Sequence, residues 1–448
     1  MRAGLRFTQP AARKIALNSG TAAASDLAMN FDTARGVPEC LPQFSTLASF
    51  NYHFRTRLVF GVNCVERIGE LARELSARRI LLVTDSGIVA AGHAERVERC
   101  LKAEGLAVVR FAQVIENPTT RCVDECVKMA KSAGIDTFVA LGGGSSLDTA
   151  KGCNFLLTNG GRMQDYWGTG KATKPMLPLI AIPTTAGTGS ECQSYALISD
   201  DKTHAKMACG DPKAAAAIAL LDPMLTLSQP TRVTACTGID AIAHVVETAV
   251  TTRRNAFSLM CSHEGFKLTV PNLPRVFMNP QDLEARGRMQ LGAAFAGMAI
   301  ENSMLGAAHS AANPLTAHYG IVHGQAVGMM LPQVVRFNAR DPQALQAYAE
   351  LASAPEIACV SDGLEEALES LVAHLEWLLD VAQMPRSLAD CGVERSMIPA
   401  LADEAAQQWT AAFNPRPIKA RHFVEIYEAA LEPRRARNTK MQMTDGQG

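Results

Sequence analysis

The chain has 448 residues, 48% hydrophobic and 19% charged, with a formal net charge of −1. That length exceeds a single ordinary core and predicts two or three domains. The near-zero charge excludes a global basic field for nucleic acid or an anionic membrane, and no apolar stretch reaches the roughly 18–20 residues of a bilayer span.

In residues 1–48, Arg2, Arg6, Arg13 and Lys14 precede any acidic residue, and no continuous apolar run follows them. A secretory signal is therefore not expected; the segment reads as a disordered or poorly ordered extension or an over-called start, with a transit peptide as the alternative. From residue 79 the pattern alternates. Ile80-Leu81-Leu82-Val83-Thr84 reads as a buried strand, residues 93–103 as a helix, and Leu106-Ala107-Val108-Val109 as a second strand. Residues 122–132 carry Val123, Val127 and Ala130 on one helical stripe, and Thr137-Phe138-Val139-Ala140-Leu141 is a third strand running into glycines. Strands and helices in this alternation predict parallel βαβ units in an open α/β sheet, which binds ligands at the carboxyl ends of its strands. The twelve cysteines are scattered, without a CxxC pair. They read as buried thiols in a reducing, cytoplasmic compartment.

Three features of this half can carry chemistry. Gly142-Gly143-Gly144-Ser145-Ser146 lies between a strand and a helix, which suits either a phosphate cradle or a tight structural turn. The loop Pro183-Thr184-Thr185-Ala186-Gly187-Thr188-Gly189-Ser190-Glu191 follows a second apolar run. Its hydroxyls can bond phosphate, ribose or carboxamide, or merely cap the turn. Asp85 ends the first strand; a carboxylate there can accept ribose hydroxyls and repel the extra phosphate of NADP, or can cap a helix.

Near residues 228–231 the character changes. Residues 233–250, 257–269, 283–301 and 365–382 all read as helices and strand signals nearly vanish. The domains expected are an α/β unit over 49–229 and an all-helical unit over 230–432, followed by a loose tail over 433–448. Within the first of these helices Asp240 and His244 are four apart in apolar surroundings, and His309 and His323 flank a break at Pro314. A helical i,i+4 pair shares one face. It is consistent with hydrogen bonding alone, or with one Asp and three His around a divalent transition metal.

Taken together, these motifs resemble the iron-containing alcohol dehydrogenases. The resemblance is carried by Gly142-Gly143-Gly144-Ser145-x-x-Asp148-x-Ala150-Lys151, by the 183–191 loop and by Gly238-x-Asp240-Ala241-x-x-His244-x-x-Glu247. The stretch from Gly306-x-x-His309 to Tyr319-x-x-x-His323-Gly324 adds to it, as do Asn117-Pro118-Thr119 and Asn414-Pro415-Arg416-Pro417, so the match runs from about residue 51 to 432. The resemblance implies the dehydroquinate synthase-like fold of that family: an α/β N-terminal dinucleotide-binding domain with a parallel sheet, plus an all-α C-terminal metal-binding domain. It implies Asp240, His244, His309 and His323 as ligands of Fe²⁺ or Zn²⁺. It implies NAD contacts from Asp85, Asn117, Gly143, Gly144, Ser145, Asp148, Thr184, Thr185, Thr188 and Lys206.

Two positions depart from the family pattern. Many members carry a histidine, proposed as a proton relay, where this chain has Asn313, and a threonine where it has Gln193. An amide can orient a substrate or water but cannot shuttle a proton by ionising. The expected activity is reversible hydride transfer between NAD(H) and a primary or small alcohol or aldehyde. A dehydroquinate-synthase-like lyase and a catalytically impaired NAD-binding protein are the competing readings. The partner expected is a small alcohol or aldehyde, with no nucleic acid or membrane, and the sequence does not specify whether the chain forms a homodimer or a higher homo-oligomer.

Overall fold

A computed structural model describes residues 49–432, residue 204 excepted. The expectations for residues 1–48 and 433–448 lie outside the described residues. In the first half β1 (Arg57–Phe60), α1 (Ile68–Glu74), β2 (Arg79–Asp85), α2 (Ser86–Ala90), α3 (His93–Ala103), β3 (Ala107–Val114), α4 (Thr120–Ala133), β4 (Thr137–Gly142) and α5 (Gly144–Asn159) follow one another. Then come β5 (Gly168–Thr169), β6 (Leu179–Pro183), β7 (Tyr195–Ser199), β8 (Lys206–Gly210) and β9 (Ile218–Leu221). Six of these strands pair in parallel in the order β1-β9-β6-β4-β2-β3.

Period-2 alternation explains why this sheet is covered on both faces. Leu81, Val83, Phe138 and Ala140 point to one side, where they pack with Val123 and Val127 of α4 and Leu147 and Ala150 of α5. Ile80, Leu82, Val139 and Leu141 point to the other, against Ile68 and Leu71 of α1 and Val97 and Leu101 of α3. The register Leu81↔Phe138 and Leu82↔Val139 keeps the two sets in step. The chain runs outward from β2 to β3 and then crosses back to β4 on the other side of β2. The carboxyl ends of β2 and β4 therefore bound the crevice where an open α/β sheet takes its ligand.

A smaller sheet, β5-β8-β7, has an antiparallel β7–β8 pair that the alternating pattern did not predict. The second strand is also longer than its apolar core, because β3 continues to Val114 through the polar Arg110 and Gln113.

The second half is helical: α6 (Thr231–Thr248), α7 (Ala256–Thr269), α8 (Asn272–Met278), α9 (Leu283–Ser303), α10 (Ala307–Tyr319), α11 (His323–Asn338), α12 (Pro342–Ser353), α13 (Leu364–Val381), α14 (Ile398–Gln407) and α15 (Ala420–Leu431). Helix α6 is buried along most of its length, as expected of a central helix. It packs against α7, α9 and α11.

One expectation fails here. Pro314 does not break the chain between His309 and His323; it sits inside α10, which ends at Gly320 with φ 64°. The proline removes the N–H that would reach the Ser310 carbonyl, and in the same turn the Tyr427 hydroxyl donates to the Ala311 carbonyl at 2.6 Å.

Candidate active site

Asp240 and His244 lie one turn apart on α6, His309 is in the first turn of α10, and His323 opens α11. Three helices thus aim four side chains at one point. His244 Nε2 is 3.6 Å, His309 Nε2 3.5 Å and His323 Nε2 3.9 Å from Asp240 Oδ1. Donor atoms of Asp240, His244 and His309 lie within 4.8 Å of one another. These three are buried, while the His323 side chain stays 25% exposed and forms the rim. Close backbone approach sets this geometry. A Cβ on Gly324 would stand 2.0 Å from the Cys236 carbonyl oxygen, so only glycine lets the start of α11 lie directly on α6.

The cluster fits a divalent cation. Asp240 Oδ1 and His309 Nε2 are buried without a hydrogen-bond partner among the described residues, an arrangement that is costly unless a cation collects them. One carboxylate with imidazoles is a donor set for a first-row divalent metal. Burial opposes charge on Asp240, but the imidazoles of His244, His309 and His323 outweigh it and hold its carboxyl below the usual range. Burial pushes His244 down to about 4. Burial and then the Lys206 cation push His323 down. Both rings are therefore neutral near pH 7, with a lone pair to offer.

Glu247, one further turn along α6, plays a part the sequence reading did not assign. Its Oε2 meets His309 Nδ1 at 2.5 Å, and its Oε1 accepts the Ala308 N–H at 2.6 Å. Burial works against charge on His309, but Glu247 and Asp240 outweigh it and raise its pKa to about 9. A carboxylate behind an imidazole fixes the ring and here leaves the other nitrogen facing the Asp240 carboxylate. The signal was present in Asp240-x-x-x-His244-x-x-Glu247, which places three polar groups on one face of an otherwise apolar helix.

Most of the residues expected to contact a nucleotide lie at the crevice between β2 and β4. Gly142 adopts φ 148°, and a Cβ there would lie 2.4 Å from Ser146 Oγ. Gly143 caps α5 with no side-chain hydrogen bond, leaving that helix start open to an anion. The 183–191 loop lies against it. Thr184 N donates to the Gly142 carbonyl at 3.0 Å, and Thr185 and Thr188 face the positions a Cβ would take on Gly143 and Gly144. Gly143, Gly144, Ser145, Thr184, Thr185 and Thr188 thus share one rim. Gln193 braces it, donating from Nε2 to the Thr188 carbonyl at 2.8 Å. Asp85 stands at the same edge. It caps α2 by accepting the Ile88 N–H at 3.0 Å and takes the Ser146 hydroxyl at 3.4 Å.

The remaining residues are placed differently. Asp148 turns inward, accepting the Ser190 hydroxyl at 2.7 Å and the Leu197 N–H at 3.2 Å, beside the buried Lys151 ammonium at 3.9 Å. It braces the loop from behind. Lys151 does the same work, donating to the Ser190 carbonyl at 2.6 Å and the Tyr195 carbonyl at 2.9 Å. Lys206 begins β8; burial lowers its pKa against the pull of Asp148 and Asp240. Asn117 is exposed, in the left-handed region at φ 51°. Asn313, one turn after His309, donates from Nδ2 to Gln408 Oε1 at 3.0 Å. Phe155 and Tyr166 are buried in the core and Trp167 is 51% exposed.

The halves meet through the second loop. A Cβ on Gly297 of α9 would fall 2.2 Å from the Gly189 carbonyl oxygen, so nucleotide loop and helical half touch backbone to backbone. The same loop also touches α6, where a Cβ on Gly187 would fall 2.5 Å from Thr237 Cβ, so the Asp240 cluster and the glycine- and threonine-lined rim are neighbours.

Comparison with known proteins agrees with this layout. The family model for iron-containing alcohol dehydrogenase matches residues 55–223, and that for the C-terminal part of the Fe-containing alcohol dehydrogenase family matches residues 234–431. The chain is 35% identical over 357 residues to alcohol dehydrogenase 4 of Schizosaccharomyces pombe, covering 80% of this chain and 83% of that protein. It is 31% identical over 381 residues to the NAD-dependent methanol dehydrogenase of Bacillus methanolicus, covering 85% of this chain and all of that protein. The crystal structure of a 1,3-propanediol oxidoreductase superposes with a TM-score of 0.82 at 28% identity, over 86% of this chain and 100% of that one. Parallel sheet, helical half, four-residue cluster and matches over both halves converge on one conclusion: the chain belongs to the iron-containing alcohol dehydrogenase family, oxidoreductases acting on alcohols and aldehydes.

Proposed function

We propose that the protein is an NAD-dependent, metal-dependent dehydrogenase that interconverts a primary or small alcohol and its aldehyde. The observation that carries this reading is the convergence of Asp240, His244 and His309, with His323 at the rim, beside the glycine- and threonine-lined crevice. When bound, Fe²⁺ (or Zn²⁺ in the same donor set) supplies Lewis acidity toward the substrate oxygen, and the dinucleotide supplies the hydride acceptor or donor.

The chain's own residues do the rest. Asp240 and the neutral imidazoles hold the cation, and Glu247 fixes the His309 ring. The backbone around Gly143, Gly144 and Ser145 receives the diphosphate, with Thr184, Thr185 and Thr188 as hydroxyl donors. Asp85 takes the ribose hydroxyls, and Asn117 and Lys206 complete the contacts, Lys206 toward the nicotinamide side. Asp148 serves this site by fixing the loop through Ser190. Asn313, held by Gln408, orients substrate or water and leaves proton release to solvent, since an amide does not ionise. The eleven cysteines among the described residues are free thiols, which supports a reducing, cytoplasmic compartment.

The test is anaerobic reconstitution with Fe²⁺, followed by assay of short alcohols and diols for NADH formation. Metal-dependent NADH formation supports the reading. Bound metal with no turnover of any alcohol or aldehyde refutes it.

A further inference from the structure

Along α9, Gln290, Gly297 and Glu301 are spaced by seven and then four residues, so they share one face of the helix. That face meets the 183–191 loop and its continuation at three points, in the same chain order. Gln290 Nε2 donates to the Pro183 carbonyl at 3.0 Å. A Cβ on Gly189, which adopts φ 61°, would stand 2.6 Å from Gly297 Cα. Glu301 accepts the Ser194 N–H at 2.9 Å and the Ser194 hydroxyl at 2.7 Å. The same loop carries Thr185 and Thr188, whose side chains lie 3.4 Å and 2.9 Å from the positions a Cβ would take on Gly143 and Gly144. A helix of the metal-binding half therefore holds the loop whose hydroxyls line the crevice of the other half.

Pro183 is the point at which strand becomes loop. It is the last residue of β6, in register with Gly142 of β4. The Gln290 side chain that reaches it is 1% exposed. Its Nε2 is committed to the Pro183 carbonyl, while its Oε1 is buried without a hydrogen-bond partner among the described residues. An amide that satisfies one acceptor and strands another adds little net stability. What it adds is position: one fixed donor, delivered from a packed helix, at the entrance of the threonine loop. Holding a binding loop in its bound arrangement removes an ordering cost from the ligand's affinity.

We propose that Gln290 is a positioning residue for the dinucleotide, which from the metal-binding half fixes the start of the 183–191 loop so that Thr184, Thr185 and Thr188 stand ready for the nucleotide. This role rests on the reading of that loop as part of the dinucleotide site, and adds that the site is completed from across the seam.

Gln290→Met in the full chain tests it. Methionine keeps the length and burial of the side chain and removes the donor and the stranded oxygen together. With Zn²⁺ present in both proteins, NADH affinity from fluorescence titration is expected to fall roughly five- to tenfold, the worth of one net hydrogen bond. Tm is expected to stay within about 2 °C of wild type, since little net stability is lost. Zn²⁺ affinity, from chelator competition, is expected to be unchanged. A variant that binds NADH as tightly as wild type overturns the role of Gln290 and leaves the dinucleotide site standing. A fall in Tm or in Zn²⁺ affinity alongside the NADH loss, or a variant that does not fold, makes the residue structural and also overturns the role. Wild-type protein that binds no NADH overturns the dinucleotide site itself, and this role with it.

Discussion

Glu247 Oε2 and His309 Nδ1 stand 2.5 Å apart in the buried interior of the helical half. This contact orients the imidazole whose Nε2 faces Asp240. Glu247→Gln keeps the side-chain shape but removes the charge behind the ring. Metal affinity is expected to fall about 10–100-fold, read by chelator competition on protein whose circular dichroism is unchanged. Unaltered affinity would show that Glu247 only caps α10 through Ala308 N–H.

Gly324→Ala tests how backbone contact builds the cluster. The added methyl would sit 2.0 Å from the Cys236 carbonyl oxygen, so the start of α11 has to move away from α6 and carry His323 with it. A loss of about 3 kcal/mol is expected, at the upper end for overpacking, together with weakened metal binding. Calorimetry and metal titration read the two effects. A variant with wild-type Tm would mean that α11 has slack the close packing does not show.

Much of this site was legible from residue spacing. Asp240 and His244 share a helical face whatever the tertiary structure, and the glycine turns followed apolar strands as a nucleotide crevice requires. What spacing could not supply was which groups face each other across the seam. Asp148 looked like a nucleotide contact, but its carboxylate is spent on Ser190 and Leu197. Pro314 looked like a helix end, yet α10 runs through it to Tyr319. The β7–β8 pair was missed because Tyr195-Ala196-Leu197-Ile198-Ser199 is short and sits directly after a turn-rich loop. The two readings of Asp85 were not exclusive: it caps α2 with Oδ1 while standing at the carboxyl edge of β2.

That dual position makes Asp85→Asn more informative than alanine. The amide oxygen can still accept from Ile88 N–H, so the cap survives, while the charge that repels the NADP phosphate is lost. The ratio of kcat/KM for NAD over NADP is expected to fall about tenfold, corresponding to roughly 1.4 kcal/mol. An unchanged ratio in steady-state kinetics would remove Asp85 from cofactor selection.

His374 on α13 provides a pH signature far from the metal. Neither ring nitrogen has a partner among the described residues, and the ring packs 5.0 Å from that of Trp377. Burial pushes its pKa down to about 4 from an ordinary 6.5. The unfolded chain therefore binds this proton more readily than the folded one. The contribution to stability is complete above pH 6.5 and is lost as pH falls from 6.5 toward 4, by an amount on the order of 1–3 kcal/mol. His374→Phe should flatten that part of the Tm-against-pH curve. A variant curve parallel to wild type through this range would assign the acid loss to other groups.

The central claim is tested most directly by an anomalous difference map at the iron edge, from crystals of Fe²⁺-loaded protein. One peak is predicted, within coordination distance of the Asp240 carboxylate and of nitrogens of His244, His309 and His323. A metal bound elsewhere, or these four side chains pointing away from a common centre, would contradict the account.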